Sequence, residues 1–143
     1  MPRTSRTDSR KTDILLWSVQ GLLALAFLFA GGMKLVLPIA ALTQQTPLPG
    51  LFLRFIGVVE VLGALGLVLP GLLRIRPDLT PLAAAGLVIV MSGAVGVTLA
   101  GGAVAPALAP VAVGLLAAFV CFGRWRLAPH REAPSVPVLQ PAT

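Results

Sequence analysis

The stretch Arg54-Phe-Ile-Gly-Val-Val-Glu60-Val-Leu-Gly-Ala-Leu-Gly-Leu-Val-Leu-Pro-Gly71 decides how this chain folds. It is apolar enough to live in lipid, yet it carries a carboxylate well inside it. Placing an ionised carboxylate within a spanning helix costs about 2.5–3.5 kcal/mol on insertion scales. Glu60 therefore requires a counter-charge, a proton or a ligand. In a helix it shares a face with Gly57, Gly63 or Ala64, and Leu67. Small residues beside a polar group let a second helix approach closely, so this face is expected to look into a bundle. Arg54 lies six residues away, about 9 Å along a helix and about 120° around it. It is expected to reach outward as an outer-interface anchor rather than to neutralise Glu60.

Outside this stretch the chain is of the same kind. Of 143 residues, 57% are hydrophobic and only 11% charged, with mean hydropathy +0.94. Soluble domains carry about 25% charged residues, so the composition implies an integral membrane protein. The net charge of +6 does not point to nucleic acid, because the basic residues flank apolar runs instead of clustering with aromatics. One cysteine, Cys121, and one histidine, His130, exclude an intrachain disulfide, CxxC redox chemistry and a bis-histidine haem site within one copy, and no metal site is expected. No bound cofactor is expected from these residues.

Working outward, four spans are expected, at about 14–37, 51–73, 81–100 and 105–123, within a transmembrane domain over 13–124. An all-α, four-helix transmembrane bundle follows. Residues 1–12, with Arg3, Arg6, Arg10 and Lys11 against Asp8, have no apolar period and read as a disordered basic tail. A cleaved signal peptide competes with the first span, but the apolar run continues to Leu37, longer than a usual h-region. Prolines 38, 47 and 49 with Gly50 mark the first loop. Thr80 before Pro81 reads as an N-cap followed by proline at the first helical position. From Leu79 to Gly123 no residue is charged, and Gly101-Gly102 divides that run into two helices. Residues 125–143, ending in Ala133-Pro-Ser-Val-Pro-Val-Leu-Gln-Pro141, read as a disordered Pro-rich tail.

With four spans, one side carries the N-terminus, the second loop and the C-terminus, hence Arg3, Arg6, Arg10, Lys11, Arg74, Arg76, Arg124, Arg126 and Arg131. The other side has Lys34 and Arg54. Positive-inside bias therefore places both termini in the cytoplasm.

Lys34 is the expected partner of Glu60. It lies at the outer boundary of the first span beside Gly31-Gly32, which would let the first two spans pack closely. The pair would clasp two helices, or alternatively floor a pocket for a quinone, a proton or another lipophilic small molecule. Gln20, Ser92 and Thr98 are further pocket candidates. Gln20 suits an interhelical hydrogen bond, while Ser92 and Thr98 suit bonds to the carbonyls of their own helix. Trp17 and Trp125 read as interfacial anchors, Cys121 as a small packing residue and His130 as a solvated tail residue.

Three ordered segments then resemble one known family. Phe27-Leu-Phe-Ala-Gly-Gly-Met-Lys34-Leu, the Arg54–Gly71 stretch, and Leu79-Thr-Pro81-Leu-Ala-Ala-Ala-Gly-Leu-Val-Ile-Val-Met-Ser-Gly-Ala94 are similar to the first, second and third helices of the DoxX-like family of small bacterial membrane proteins. The similarity runs from about Leu15 to Gly123. It implies a four-helix protein of the bacterial plasma membrane, acting as an accessory component of a redox or sulfur-metabolism system. It also implies a redox enzyme subunit or a second copy of the chain as a partner. Many members carry a histidine near the end of the third helix. Here that neighbourhood is Val95-Gly-Val-Thr98-Leu, so a role resting on that imidazole is not expected. The alternatives are a quinone or lipophile carrier centred on Glu60, and a structural or assembly factor without a small-molecule ligand.

Overall fold

The computed structural model describes residues 6–44, 46–76 and 78–127. They form five helices: α1 (Arg6–Val36), the short α2 (Ile39–Thr43), α3 (Gly50–Leu73), α4 (Leu79–Ala100) and α5 (Val104–Leu127). No strand occurs among the described residues. All but α2 are long and apolar enough to cross a membrane. In lipid a helix satisfies its own backbone polar groups, so this is one of the two architectures a bilayer permits. The outer faces are strongly apolar, with Leu25, Phe29, Leu51, Ile89 and Leu115 all exposed. So much uncovered hydrocarbon is stable only against lipid. The protein is a four-helix transmembrane bundle.

The long helices pack as a ring in chain order: α1 on α3, α3 on α4, α4 on α5, and α5 back on α1 through the smallest contact. The core alternates large and small residues: Leu23 and Phe27 of α1, Ala64 and Leu67 of α3, Ala84, Leu87 and Met91 of α4, Ala117 and Val120 of α5. The alanines bring backbones together and the leucines fill the space between them, which is how helices associate where lipid tails are as apolar as they are.

The helix ends depart from the sequence expectation in four places. One is the end of α5, which stays helical through Leu127, where residues 125–127 are expected to begin a disordered tail. The α1 helix begins at Arg6, not near residue 13, so residues 6–12 of the segment expected to be disordered are helical. A helix propagates cheaply once nucleated, and a 20-residue apolar span is a long nucleus for a polar extension. The first loop holds the extra turn α2, which packs on α3 through Ile39 and Gly50. At α4 the helix starts at Leu79 with Asp78 as N-cap, so Thr80 and Pro81 lie inside the first turn and Thr80 is not the cap. Proline is tolerated there because first-turn N–H groups have no helical acceptor. The Gly101-Gly102 break is a tight turn, with Gly102 at φ 76° and its N–H donating to the Leu99 carbonyl at 2.9 Å. At the other end of the bundle Arg74 closes α3 at φ 53°, its N–H donating to the Pro70 carbonyl. The expected tails over residues 1–5 and 128–143, including His130, lie outside the described residues.

Candidate functional site

Two polar clusters interrupt the apolar bundle, one near each end. The first is built on the α1–α3 crossing. Gly31 and Gly57 face each other there: a Cβ on Gly31 would stand 2.7 Å from the Gly57 carbonyl oxygen, and one on Gly57 would stand 2.9 Å from Cβ of Lys34. Only glycine allows so close an approach. Gly32, by contrast, faces open space and contributes nothing to it. With the helices this close, Lys34 Nζ donates to Glu60 Oε2 at 2.8 Å and Oε1 at 3.1 Å. Glu60 is 2% exposed, on a buried stripe with Leu53, Gly57, Ala64 and Leu67, whereas the Lys34 side chain keeps 27% of its surface open. The ammonium thus covers the carboxylate from the open side, and both carboxylate oxygens are used.

Arg54 stands one and a half turns before Glu60 and makes no bond to it. It is half-buried, and its Nη2 donates to the Leu37 carbonyl at 2.9 Å. The side chain expected as an outer-interface anchor thus holds the carbonyl of the residue that follows α1. A helix C-terminus exposes carbonyls that a guanidinium can satisfy, with the helix dipole favouring the positive charge. Arg54 and Lys34 therefore both tie the end of α1 to α3.

The second cluster lies toward the other ends of the same helices and recruits α5. Gln20, 1% exposed, donates from Nε2 to the Leu67 carbonyl of α3 at 2.7 Å and accepts from Arg124 Nε of α5 at 2.7 Å. Arg124 Nη1 continues to Asp13 Oδ1 of α1 at 3.0 Å. Its guanidinium stacks 5.4 Å from the Trp17 ring centre, a cation–π geometry. The Nη2 atom is buried without a hydrogen-bond partner among the described residues. Trp17, expected at the lipid interface, is half-buried and lies against Gly71 near the end of α3; Trp125 is exposed. The first cluster joins two residues that stand out in the sequence. The second was missed apart from Gln20, because Arg124 reads as one more topology-setting charge. The available signal was Gln20 itself, a buried amide with donor and acceptor to satisfy.

The other pocket candidates are not brought into either cluster. Ser92 is exposed and its hydroxyl donates to the Val88 carbonyl at 2.8 Å; Thr98 is half-buried and donates to Ala94 at 2.7 Å. Both side chains are occupied by their own helix, a common fate of hydroxyls in apolar helices. A groove of about 490 Å³ runs between α3 and α4, lined by Val59, Gly63, Gly66, Pro70, Ala83 and Gly86 among others, with Glu60, Gln20, Ser92 and Thr98 all outside its lining.

No curated protein and no solved structure matches this chain significantly. The DoxX-like family profile does match, over residues 18–120. That interval includes the Lys34–Glu60 pair, Gln20, and the whole of α3 and α4, and it stops just short of Arg124. With four apolar helices in a ring and a family match spanning well over half its length, the chain belongs to the DoxX-like family.

Proposed function

We propose that this protein is an accessory membrane component of a redox or sulfur-metabolism system, seated in the bacterial plasma membrane with both termini cytoplasmic, and that it scaffolds a partner instead of catalysing a reaction itself. The observation that carries the scaffolding part is the closure of the Lys34–Glu60 pair: both carboxylate oxygens accept from one ammonium, at 2.8 and 3.1 Å, on a glutamate only 2% exposed. A catalytic or ligand-binding carboxylate must be reached by its substrate, and this one is 2% exposed and covered by the Lys34 ammonium. Its energetics suit a clasp, since a buried pair fixes the register of two helices that hydrocarbon packing alone leaves free to slide. The redox or sulfur-metabolism part draws on family resemblance, an argument by analogy. The orientation draws on the nine basic side chains that share the side of the termini.

The test is affinity purification of the full chain from native membranes in mild detergent, with a deletion strain as control. The expected result is co-elution of a redox enzyme, read as a quinone- or thiosulfate-linked activity that the control lacks. Recovery of the protein without such an activity overturns the proposal.

A further inference from the structure

The α3–α4 connection places two arginines at one end of the groove between those helices. Pro70 and Leu79 line the groove at this end. The Pro70 carbonyl accepts from the N–H groups of Arg74 and Ile75, the latter at 3.1 Å, and the Leu79 N–H donates to the Arg76 carbonyl at 3.1 Å. The backbone of each arginine is therefore bonded to a groove wall. Both are exposed, and both hold positive φ, 53° and 39°, a region where glycine is the unstrained choice. Non-glycine residues in such conformations collect at ligand clamps and active sites. Arg54, Arg124 and Arg126 are engaged with the Leu37 carbonyl, the Gln20 cluster and the Phe122 ring. Neither Arg74 nor Arg76 has a side-chain hydrogen bond or ion pair among the described residues.

Depth sets what these residues meet. The groove walls belong to two spans, Gly50–Leu73 and Leu79–Ala100, and so lie in hydrocarbon. Arg74 and Arg76 follow the first of these spans directly and stand at headgroup level. Along α3 the lining runs from Val59 to Pro70, about 16 Å of helix. That is roughly one leaflet of a hydrocarbon core about 30 Å thick. The volume of about 490 Å³ suits a bound ligand, and no lining side chain is polar. Arg74 and Arg76, set against Asp78, leave the connection with one positive charge in excess. A phosphodiester with a single negative charge balances that excess, whereas a zwitterionic headgroup brings its own cation and leaves it standing. From an apolar slot of one-leaflet length with two guanidinium groups at its headgroup end, we infer that α3 and α4 hold an anionic phospholipid, one acyl chain in the groove and the phosphate on Arg74 and Arg76. The site is separate from both polar clusters and requires no enzyme partner, so it can fail while the scaffold proposal stands, and the reverse.

The experiment uses the full chain in nanodiscs of dioleoylphosphatidylcholine doped with a phospholipid that carries a diazirine in one acyl chain. Two probes are compared, anionic phosphatidylglycerol and zwitterionic phosphatidylcholine, and labelled residues are mapped by mass spectrometry. The anionic probe is expected to label the groove walls about tenfold more than the zwitterionic one, the preference two arginines near a membrane surface confer. Arg74→Gln with Arg76→Gln is expected to erase that preference while leaving the thermal unfolding midpoint unchanged, since neither side chain bonds within the bundle. Arg10→Gln with Lys11→Gln removes as many charges from the start of α1 and is expected to leave the preference within about twofold, because exposed charges farther than a screening length act weakly. Gly86→Leu fills the groove from a position where a Cβ meets nothing within 4 Å. It is expected to abolish groove labelling by both probes, while labelling around the exposed Phe29 of α1 persists. Equal labelling by the two probes, a preference that survives loss of Arg74 and Arg76, or an equal loss on removing Arg10 and Lys11 overturns the inference. So does a groove filled by a second copy of the chain, seen as cross-links from α3 and α4 to a neighbouring chain.

Discussion

The two polar clusters use the same helix, α1, for different purposes. Near its end α1 is bound to α3, its neighbour in both sequence and space, through Lys34–Glu60 and Arg54–Leu37. Near its start it is bound to α5, the last helix, through Gln20, Asp13 and Trp17 around Arg124. The first cluster strengthens an interface that is already extensive and tightly packed at Gly31 and Gly57. The second closes the ring where hydrocarbon contact is least. They also differ in completeness. Lys34 and Glu60 bond one another with a single partner each, while Arg124 spreads over three residues and still leaves Nη2 buried without a partner among the described residues. A two-residue lock and a four-residue strap should therefore fail differently.

The largest effect is expected at the lock. Glu60→Gln removes the charge that holds Lys34, leaving a cation at the edge of a low-dielectric bundle. Breaking a buried pair from one side costs about 3–5 kcal/mol, and the partial exposure of Lys34 places this case at the lower end. Lys34→Met should cost a similar amount because it strands Glu60. The double variant should recover much of the loss, so a double-mutant cycle in detergent, followed by thermal or SDS unfolding, should give a clear favourable coupling. Additive losses would mean that the two groups act separately and that the clasp is not the reason for their pairing.

A middle-sized effect is expected at the strap. Gln20→Leu keeps the volume roughly constant but removes the acceptor for Arg124 Nε and the donor to the Leu67 carbonyl. The carbonyl retains its helical bond, so most of the cost falls on the guanidinium, about 1–3 kcal/mol. The distinguishing readout is location. Hydrogen exchange should rise at the C-terminal turns of α5 and the start of α1, with the α1–α3 crossing at Gly31 unchanged. Uniform loosening of all four helices would show that the two clusters are one cooperative unit.

The contrast also explains what could be read without coordinates. Lys34 and Glu60 are anomalies in apolar runs, each next to small residues, and two spans adjacent in sequence are usually adjacent in space. Their local pattern carries the pairing. Arg124 is no anomaly, because an arginine after the last apolar residue is what membrane topology alone demands. Its turn back onto Gln20, 104 positions earlier, depends on the ring closing α5 against α1. Arg54 was legible as a boundary residue but not as a cap, because the carbonyl it meets belongs to the turn after α1, whose position depends on the glycine crossing. The groove was hidden for a similar reason: Pro70 is visible, but the gap beside it exists only once α3 and α4 are placed.

The smallest effect is expected at the rim of the strap. Asp13 has 60% of its side chain exposed while accepting from Arg124 at 3.0 Å, so water and salt screen the pair. Asp13→Asn should cost about 0.2–1 kcal/mol. The difference from the parent chain should shrink further as salt is raised toward 1 M, where the screening length falls to about 3 Å. The Gln20→Leu loss, which involves a buried neutral amide, should be nearly independent of salt. If Asp13→Asn matched Gln20→Leu in size and kept that size in high salt, Arg124 would be anchored by its ion pair instead of by the amide. The strap would then be electrostatic like the lock, and the distinction between the two ends would rest on chain connectivity alone.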